Sequence, residues 1–297
     1  MILSNRGSSI DISEKSDIDS KIDNRLKLSL KREFLVAKLN TLLPASRERS
    51  LHAYCVGTPR SGTHSIVGML HSNYVATHEP HSYYAIYHIL KWAAQKYTRN
   101  DIQNILKWRD KKLSLDLEAA HYLHHVVDVL ANSFPKAKFI LTVRDPLSWL
   151  ESEIDRNYGT RNKLFWKALE DYRYGRYGHQ FTKQDIALKQ MGLYPLTSYL
   201  SYWKDHNEFV INSVAKERLL ILDTREIQSK MNQIADFLDI DIATINQQKS
   251  HANKRTKRFK LAEIVDKGYL HQQLEAICSD FIDQQLPAFK SSYSAQP

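Results

Sequence analysis

The chain has 297 residues, 42% apolar and 25% charged, with a formal net charge of +9 and 16 Tyr plus 10 Phe. That is enough to bury a core as one large or two small domains, and the composition excludes a disordered chain. The positive charge suits a polyanionic ligand, whether nucleotide, nucleic acid or acidic membrane, without choosing among them. Two cysteines, Cys55 and Cys278, offer no disulfide framework and fit a reducing cytosol. No apolar run of about 18 residues and no signal-peptide core are visible, so a soluble, cytoplasmic protein without a membrane span is expected.

In chain order, residues 1–20 are polar and Ser-rich and read as a mobile extension. Residues 21–43 mix leucines with basic residues at helical spacing, and Pro44 ends that amphipathic helix. The expected organisation is therefore an N-terminal extension, 1–44, and one domain, 45–297. Tyr54–Leu70 (YCVGTPRSGTHSIVGML) reads as a buried strand, a glycine-bounded loop and a helix. A strand breaking at Pro80 follows within 73–80, then helices over 83–95 and 101–112, with Asp101 as an N-terminal anion. Residues 113–117 are read as a third strand and 119–133 as a helix. The run Lys138–Val143 (KFILTV) is almost wholly apolar, as a central parallel strand buried on both faces would be. Residues 144–193 read as a polar, aromatic-rich insertion of helices and mobile loops. A long helix over 196–215, a strand over 218–222, a helix over 225–238, a basic segment over 250–260 and a terminal helix over 261–285 complete the chain. Strands alternating with helices predict a doubly wound α/β fold, with a mainly parallel sheet of about five strands flanked by helices.

Two motifs stand at strand ends. Gly57 and Gly62 have the G-x-x-x-x-G spacing of a P-loop, whose backbone N–H groups face phosphate oxygens. Thr63 and His64 replace the Lys and the Mg-binding hydroxyl of a nucleotide triphosphatase. The second motif is Arg144-Asp145-Pro146, after the strongest strand, where open α/β sheets place ligands. Asp145 suits an N-cap and Pro146 the first helical position, which sets Ser152 about two turns into the helix.

Together these motifs resemble the sulfotransferases that use 3′-phosphoadenosine 5′-phosphosulfate (PAPS). Their phosphosulfate loop, P-[KR]-S-G-T-[TS], is filled here by Pro59, Arg60, Ser61, Gly62, Thr63 and His64, with Ser65 next in line. The resemblance continues through FPKAKFILTVRDP, YLSYWKDHNEFV and RLLILDTREI, over about residues 51–240. It implies that Arg144 and Ser152, eight residues apart, bind the 3′-phosphate, and that Lys254 and Arg255, with Arg258 as a rival, close a basic loop over it. It further implies that Arg60 reaches a bridging or sulfonyl oxygen, with no metal required. In the carbohydrate-type branch, the expected one here, a Glu after the second strand is the general base, and Glu79 matches that place. His78, His81 and His121 are rival bases, and a simple helix-capping role for Glu79 stays open. An acidic–Lys pair that many members carry after the third strand is replaced by Asp116-Leu117-Glu118. His121, His124 and His125 lack a zinc motif, and the basic 253–260 run lacks an aromatic RNA-binding pattern. The resemblance thus implies transfer of a sulfonyl group from PAPS, leaving 3′-phosphoadenosine 5′-phosphate (PAP), to a hydroxyl or amine of a small-molecule acceptor, such as a secondary metabolite. No nucleic-acid partner is expected, and the sequence leaves oligomeric state open. The alternatives are a P-loop kinase or NTPase, which the absent Walker side chains oppose, and an inactive nucleotide- or RNA-binding module.

Overall fold

A computed structural model describes residues 48–160, 164–249 and 260–289. The amphipathic helix expected over 21–43 lies outside these residues, as do Lys254, Arg255 and Arg258. Five strands, β1 (Ala53–Cys55), β2 (Ala76–His78), β3 (Leu117–Ala119), β4 (Lys138–Val143) and β5 (Leu219–Asp223), form one sheet in the order β2-β3-β1-β4-β5. Every pairing is parallel. The helices are α1 (Thr63–Leu70), α2 (Ser82–Ala93), α3 (Arg99–Leu113), α4 (Val127–Ser133), α5 (Pro146–Thr160), α6 (Leu164–Glu170), α7 (Ile186–Gln190), α8 (Leu196–Ser213), α9 (Met231–Leu238) and α10 (Lys267–Gln285).

Side-chain alternation along the strands divides the core into two layers. Tyr54, Phe139, Leu141 and Val143 face a large cluster that includes Trp149, Tyr202 and Trp203. Cys55, Ile140, Leu220 and Leu222 face a smaller one closed by Ile66, Met69 and Leu70 of α1 and Ile234 and Leu238 of α9. Both faces of the sheet are therefore covered, the arrangement that all-parallel sheets require. No helix among the described residues is long and apolar enough to cross a membrane.

Register decides where the loops gather. Cys55 pairs with both Ala119 and Ile140, and His78 pairs with Ala119, so β1, β2 and β3 end level. β4 runs three residues further and pairs Val143 with Asp223. Its projecting end forms a wall beside the loop that leaves β1. At that end Asp145 Oδ1 accepts the Ser148 N–H at 3.0 Å, with Pro146 opening α5, as the sequence predicts. Thr98 and Asp101 cap α3 reciprocally, so Asp101 is the anion expected there.

Five expectations are corrected. The third strand is 117–119 rather than 113–117, because α3 continues to Leu113 and Glu118 occupies the strand's centre, buried against Arg109. A 3₁₀ turn, His121–Val126, stands where the start of a helix was expected, and α4 follows it. The stretch 144–193 is no loose insertion: Trp149, Leu150, Ile154, Leu169, Tyr174 and Leu188 all lie in the main core. The helices expected over 225–238 and 261–285 are shorter, beginning at Met231 and Lys267.

Candidate functional site

The loop between β1 and α1 is fixed through its carbonyl oxygens. His206 Nε2 donates to Val56 O (2.7 Å), Ser61 Oγ to Thr58 O (2.6 Å) and Trp149 Nε1 to Pro59 O (2.7 Å). Arg144 NH1 donates to Arg60 O (3.2 Å) and Thr224 Oγ1 to Ser61 O (2.6 Å). These bonds, with the Ser61 N–H bonded to Thr58 O at 3.2 Å, fix the loop's shape ahead of α1, whose N-terminus suits an anion. Its glycines are dictated by contact. A Cβ on Gly57 would lie 2.0 Å from Thr142 Oγ1 and 2.5 Å from Thr142 O, on the projecting end of β4. Gly62 caps α1 at φ 95°, and a Cβ there would meet Ile227 Cδ1 at 2.8 Å. Arg60 also lies in the left-handed region, at φ 68°, a conformation that costs energy for a residue with a Cβ.

Two guanidinium groups converge beside this loop. Arg60 Nε donates to Ser152 Oγ at 3.0 Å, and Arg144 Nε donates to Ser148 Oγ at 3.1 Å. Burial and the neighbouring charge of Arg60 lower the pKa of Arg144, against the opposing pull of Asp145 and Glu151. Both remain cations at neutral pH, so the space beside them favours an anion. Arg60, Arg144 and Ser152 are thus brought together beside the loop, and Ser148, one turn before Ser152, joins them. Ser61 is placed differently: its hydroxyl is buried, between Thr58 O and Thr142 Oγ1 (2.8 Å), so it serves the loop's shape. Gly62, Thr63, His64 and Ser65 form the first turn of α1. Thr63 Oγ1 lies 3.0 Å from His78 Nε2, and the exposed His64 ring stacks on His78 with centroids 3.5 Å apart. The side chains at both Walker positions are therefore joined to the last residue of β2.

Glu79 follows immediately, in the left-handed region at φ 50°, its N–H bonded to Ala119 O. Arg109 holds the turn from behind: it grips Glu118 at 2.6 and 2.7 Å and donates to Pro80 O at 2.6 Å. Glu79 does not cap α2. His81 is the N-cap residue and no side-chain bond closes that end. The Glu79 carboxylate instead takes His121 Nε2 at 3.0 Å, with 19% of its side chain still exposed. Burial pushes its pKa up, but His121, His78 and Arg156 outweigh it and bring it down to about 2. Burial lowers the pKa of His121 itself, with Arg173 adding to that and Glu79 opposing. Arg173 NH2 stands 2.8 Å from His121 Nδ1. Because a guanidinium only donates, Nδ1 carries the lone pair and Nε2 carries the proton that faces Glu79. The pair is an ionised carboxylate and a neutral imidazole.

This geometry ranks the candidate bases. Both ring nitrogens of His121 are engaged, by Glu79 and Arg173. His78 spends Nε2 on Thr63, and burial holds its pKa at about 4 despite the opposing charge of Glu79. His81 sits exposed at the α2 N-cap. Glu79 combines ionisation, partial exposure and a position next to the loop. The Asp116-Leu117-Glu118 stretch is not the end of β3: Asp116 precedes the strand and accepts the Ser50 and Val75 N–H groups, and His121 is the second residue past its end. Sequence reading missed Arg173, Trp149, His206 and Thr224, whose contacts with the site span between 52 and 163 residues of chain. His124, His125 and His206 are buried with lowered pKa values, and no metal-holding group occurs among the described residues.

A family model described as a sulfotransferase domain matches residues 54–257. No curated protein matches the chain. Among solved structures, it is similar to a sulfotransferase from Alicyclobacillus acidocaldarius, with TM-score 0.49, 12% identity, and coverage of 83% of this chain and 99% of that one. Sulfotransferase STF9 from Mycobacterium avium gives TM-score 0.48 and 13% identity, over 90% of this chain and 83% of that one. Mouse sulfotransferase SULT7A1 complexed with PAP gives 0.34 and 17%, over 86% of each.

Proposed function

We propose that this chain, which belongs to the sulfotransferase-domain family, transfers a sulfonyl group from PAPS to a hydroxyl or amine of a small organic acceptor by in-line displacement. PAPS supplies the activated sulfonyl group: its sulfur–oxygen bond to the 5′-phosphate breaks as the acceptor's bond to sulfur forms, and PAP leaves. The observation that carries this reading is the convergence of a glycine-shaped loop, two guanidinium groups and one ionised carboxylate at the carboxyl edge of the sheet. Gly57 and Gly62 let the loop pack directly against Thr142 and Ile227, where a Cβ would not fit, and so hold it in the turn that leads into the N-terminus of α1. Backbone N–H groups of Gly62, Thr63 and His64 at the start of α1 then hold the 5′-phosphosulfate, while Ser61 and Ser65, whose N–H groups bond to Thr58 O and Gly62 O, act through the shape of the loop and of the first turn. Arg60 neutralises charge on the bridging and sulfonyl oxygens, where a metal is not needed. Arg144 and Ser152 bind the 3′-phosphate, and Lys254 and Arg255 close over it.

Glu79 accepts the acceptor's proton. A carboxylate with so low a pKa is a weak base at rest. The hydroxyl proton, however, becomes strongly acidic as its oxygen bonds to sulfur, so a weak base placed within reach is sufficient. His121 steers the carboxylate by holding Oε1. The carboxylate and its rival base His121 thus meet in one pair, with the carboxylate the partly exposed member. Incubation with PAPS and a panel of phenols, alcohols and amines, followed by PAP release and product mass, tests the reading. Acceptor-dependent PAP formation is expected. A protein that binds PAP yet sulfonates none of them would favour the inactive-module alternative.

A further inference from the structure

Arg173 is a buried charged side chain, bonded to the partner of Glu79, that the reaction itself leaves unused. It belongs to a π-helical turn, Asp171–Gly175, and is 0% exposed. Its guanidinium lies over the Tyr202 ring, 4.9 Å from the centroid, and its NH1 approaches Glu153 Oε1 only to 4.0 Å. Glu153 is already held by Arg156 at 2.8 and 2.5 Å and by the Tyr174 hydroxyl at 2.6 Å. Among the described residues, Nε and NH1 of Arg173 meet no hydrogen-bond acceptor. A buried guanidinium left so incompletely satisfied is costly for the fold, and an apolar side chain would pack there more cheaply. Its one short hydrogen bond is the 2.8 Å bond to His121 Nδ1.

That bond has a chemical consequence. The guanidinium fork has donors and no acceptor, so it admits only the His121 form with a bare Nδ1. The single ring proton must sit on Nε2, where it meets Glu79 Oε1 at 3.0 Å. We propose that Arg173 is a positioning residue for the transfer reaction, locking His121 as the neutral Nε2–H tautomer so that the Glu79 carboxylate is held in place and ionised. The proposal rests on the reading of Glu79 as proton acceptor. The groups facing His121 are His78 at the end of β2, Glu79 from the turn that follows, Arg156 from α5, Arg173 from the π-helical turn, and His125 and His206. Of these, Glu79 alone favours an imidazolium. Without Arg173, His121 gains room for a second proton at Nδ1 and becomes a full ion-pair partner of Glu79, which draws basicity from the carboxylate.

The test is nitrogen-15 NMR of the histidine rings in the full-length protein, assigned with His121→Gln, beside kinetics of Arg173→Met and Arg173→Lys. In the wild type His121 is expected to show a bare Nδ1 and a protonated Nε2 at neutral pH. Arg173→Met should raise the pH at which His121 takes up its second proton, although burial still holds that pH below the ordinary imidazole value. Below that pH kcat should fall by about tenfold or more while the KM for PAPS moves by less than about twofold, and kcat should recover as pH rises. Arg173→Lys, which keeps the charge and a donor, should restore most of the loss. A wild-type His121 protonated on Nδ1, or an Arg173→Met protein with unchanged His121 titration and pH profile, overturns the proposal. The wild-type spectrum decides even if Arg173→Met fails to fold. The tautomer is read without turnover, so an inactive protein with the stated tautomer would sink the functional reading and leave the Arg173–His121 lock standing.

Discussion

Replacing Glu79 by Gln separates its chemistry from its place in the fold. The amide keeps an oxygen where Oε1 accepts the His121 N–H at 3.0 Å, and Arg109 still braces the turn through Pro80 O. The variant should therefore fold and bind PAP as the wild type does. What it loses is a proton acceptor, for which turnover should drop by roughly 10²–10⁴-fold, equivalent to about 3–5 kcal/mol of barrier. The wild-type carboxyl titrates at about 2, with burial raising it and His121, His78 and Arg156 lowering it more strongly. The sign follows: the active form is the deprotonated one, so Glu79 imposes no acid limb on the rate until pH approaches that value. The same depression stabilises the fold above the unfolded carboxyl pKa of about 4.5, and that stability is lost as pH falls toward 2. Steady-state kcat, PAP affinity by calorimetry and the melting temperature, measured for both proteins, make the assay. A Glu79→Gln enzyme within about threefold of wild-type kcat would refute the assignment.

Two further substitutions test the donor pocket. Arg144→Ala should weaken PAP by about 1.5–3 kcal/mol, the range for a charge-assisted hydrogen bond, and leave a nucleotide without the 3′-phosphate nearly unaffected; equal losses in titrations of both ligands would make Arg144 a fold-supporting residue. Gly57→Ala should cost about 1–3 kcal/mol of stability and abolish PAP binding, because a Cβ 2.5 Å from the Thr142 carbonyl oxygen forces two backbones apart. A melting temperature and PAP affinity equal to wild type would contradict that packing.

Where sequence and structure part company, the cause is a long-range partner. KFILTV reads correctly as β4 because an apolar run buried on both faces needs no partner to be recognised. The glycine-bounded strand–loop–helix and the helix that carries Ser152 after Arg144 are legible because their signals are local. β3 was read four residues early because Glu118 looks like a surface residue until Arg109, nine positions before it, is seen to neutralise it inside the core. The stretch 144–193 looked polar and loose for the same reason. Its Glu153 and Arg173 are fully buried, the one satisfied by Arg156 and Tyr174, the other engaged with His121 and stacked on Tyr202. The place of Glu79 was readable from the motif, but its alliance with His121 depends on β2 and β3 being neighbours, which a linear chain does not display.

The central claim is that this phosphate loop serves an adenosine bisphosphate without a metal, and one titration addresses it directly. Calorimetry of the full-length protein with PAP in EDTA, beside ATP with excess Mg²⁺, compares the two chemistries on one scale. Arg60 and Arg144 supply positive charge, while Thr63 and His64 are joined to His78 where a nucleotide triphosphatase would present its Lys and its metal-binding hydroxyl. PAP is expected to bind unchanged in EDTA and far more tightly than ATP–Mg²⁺. Tighter, Mg²⁺-dependent binding of ATP would contradict the account.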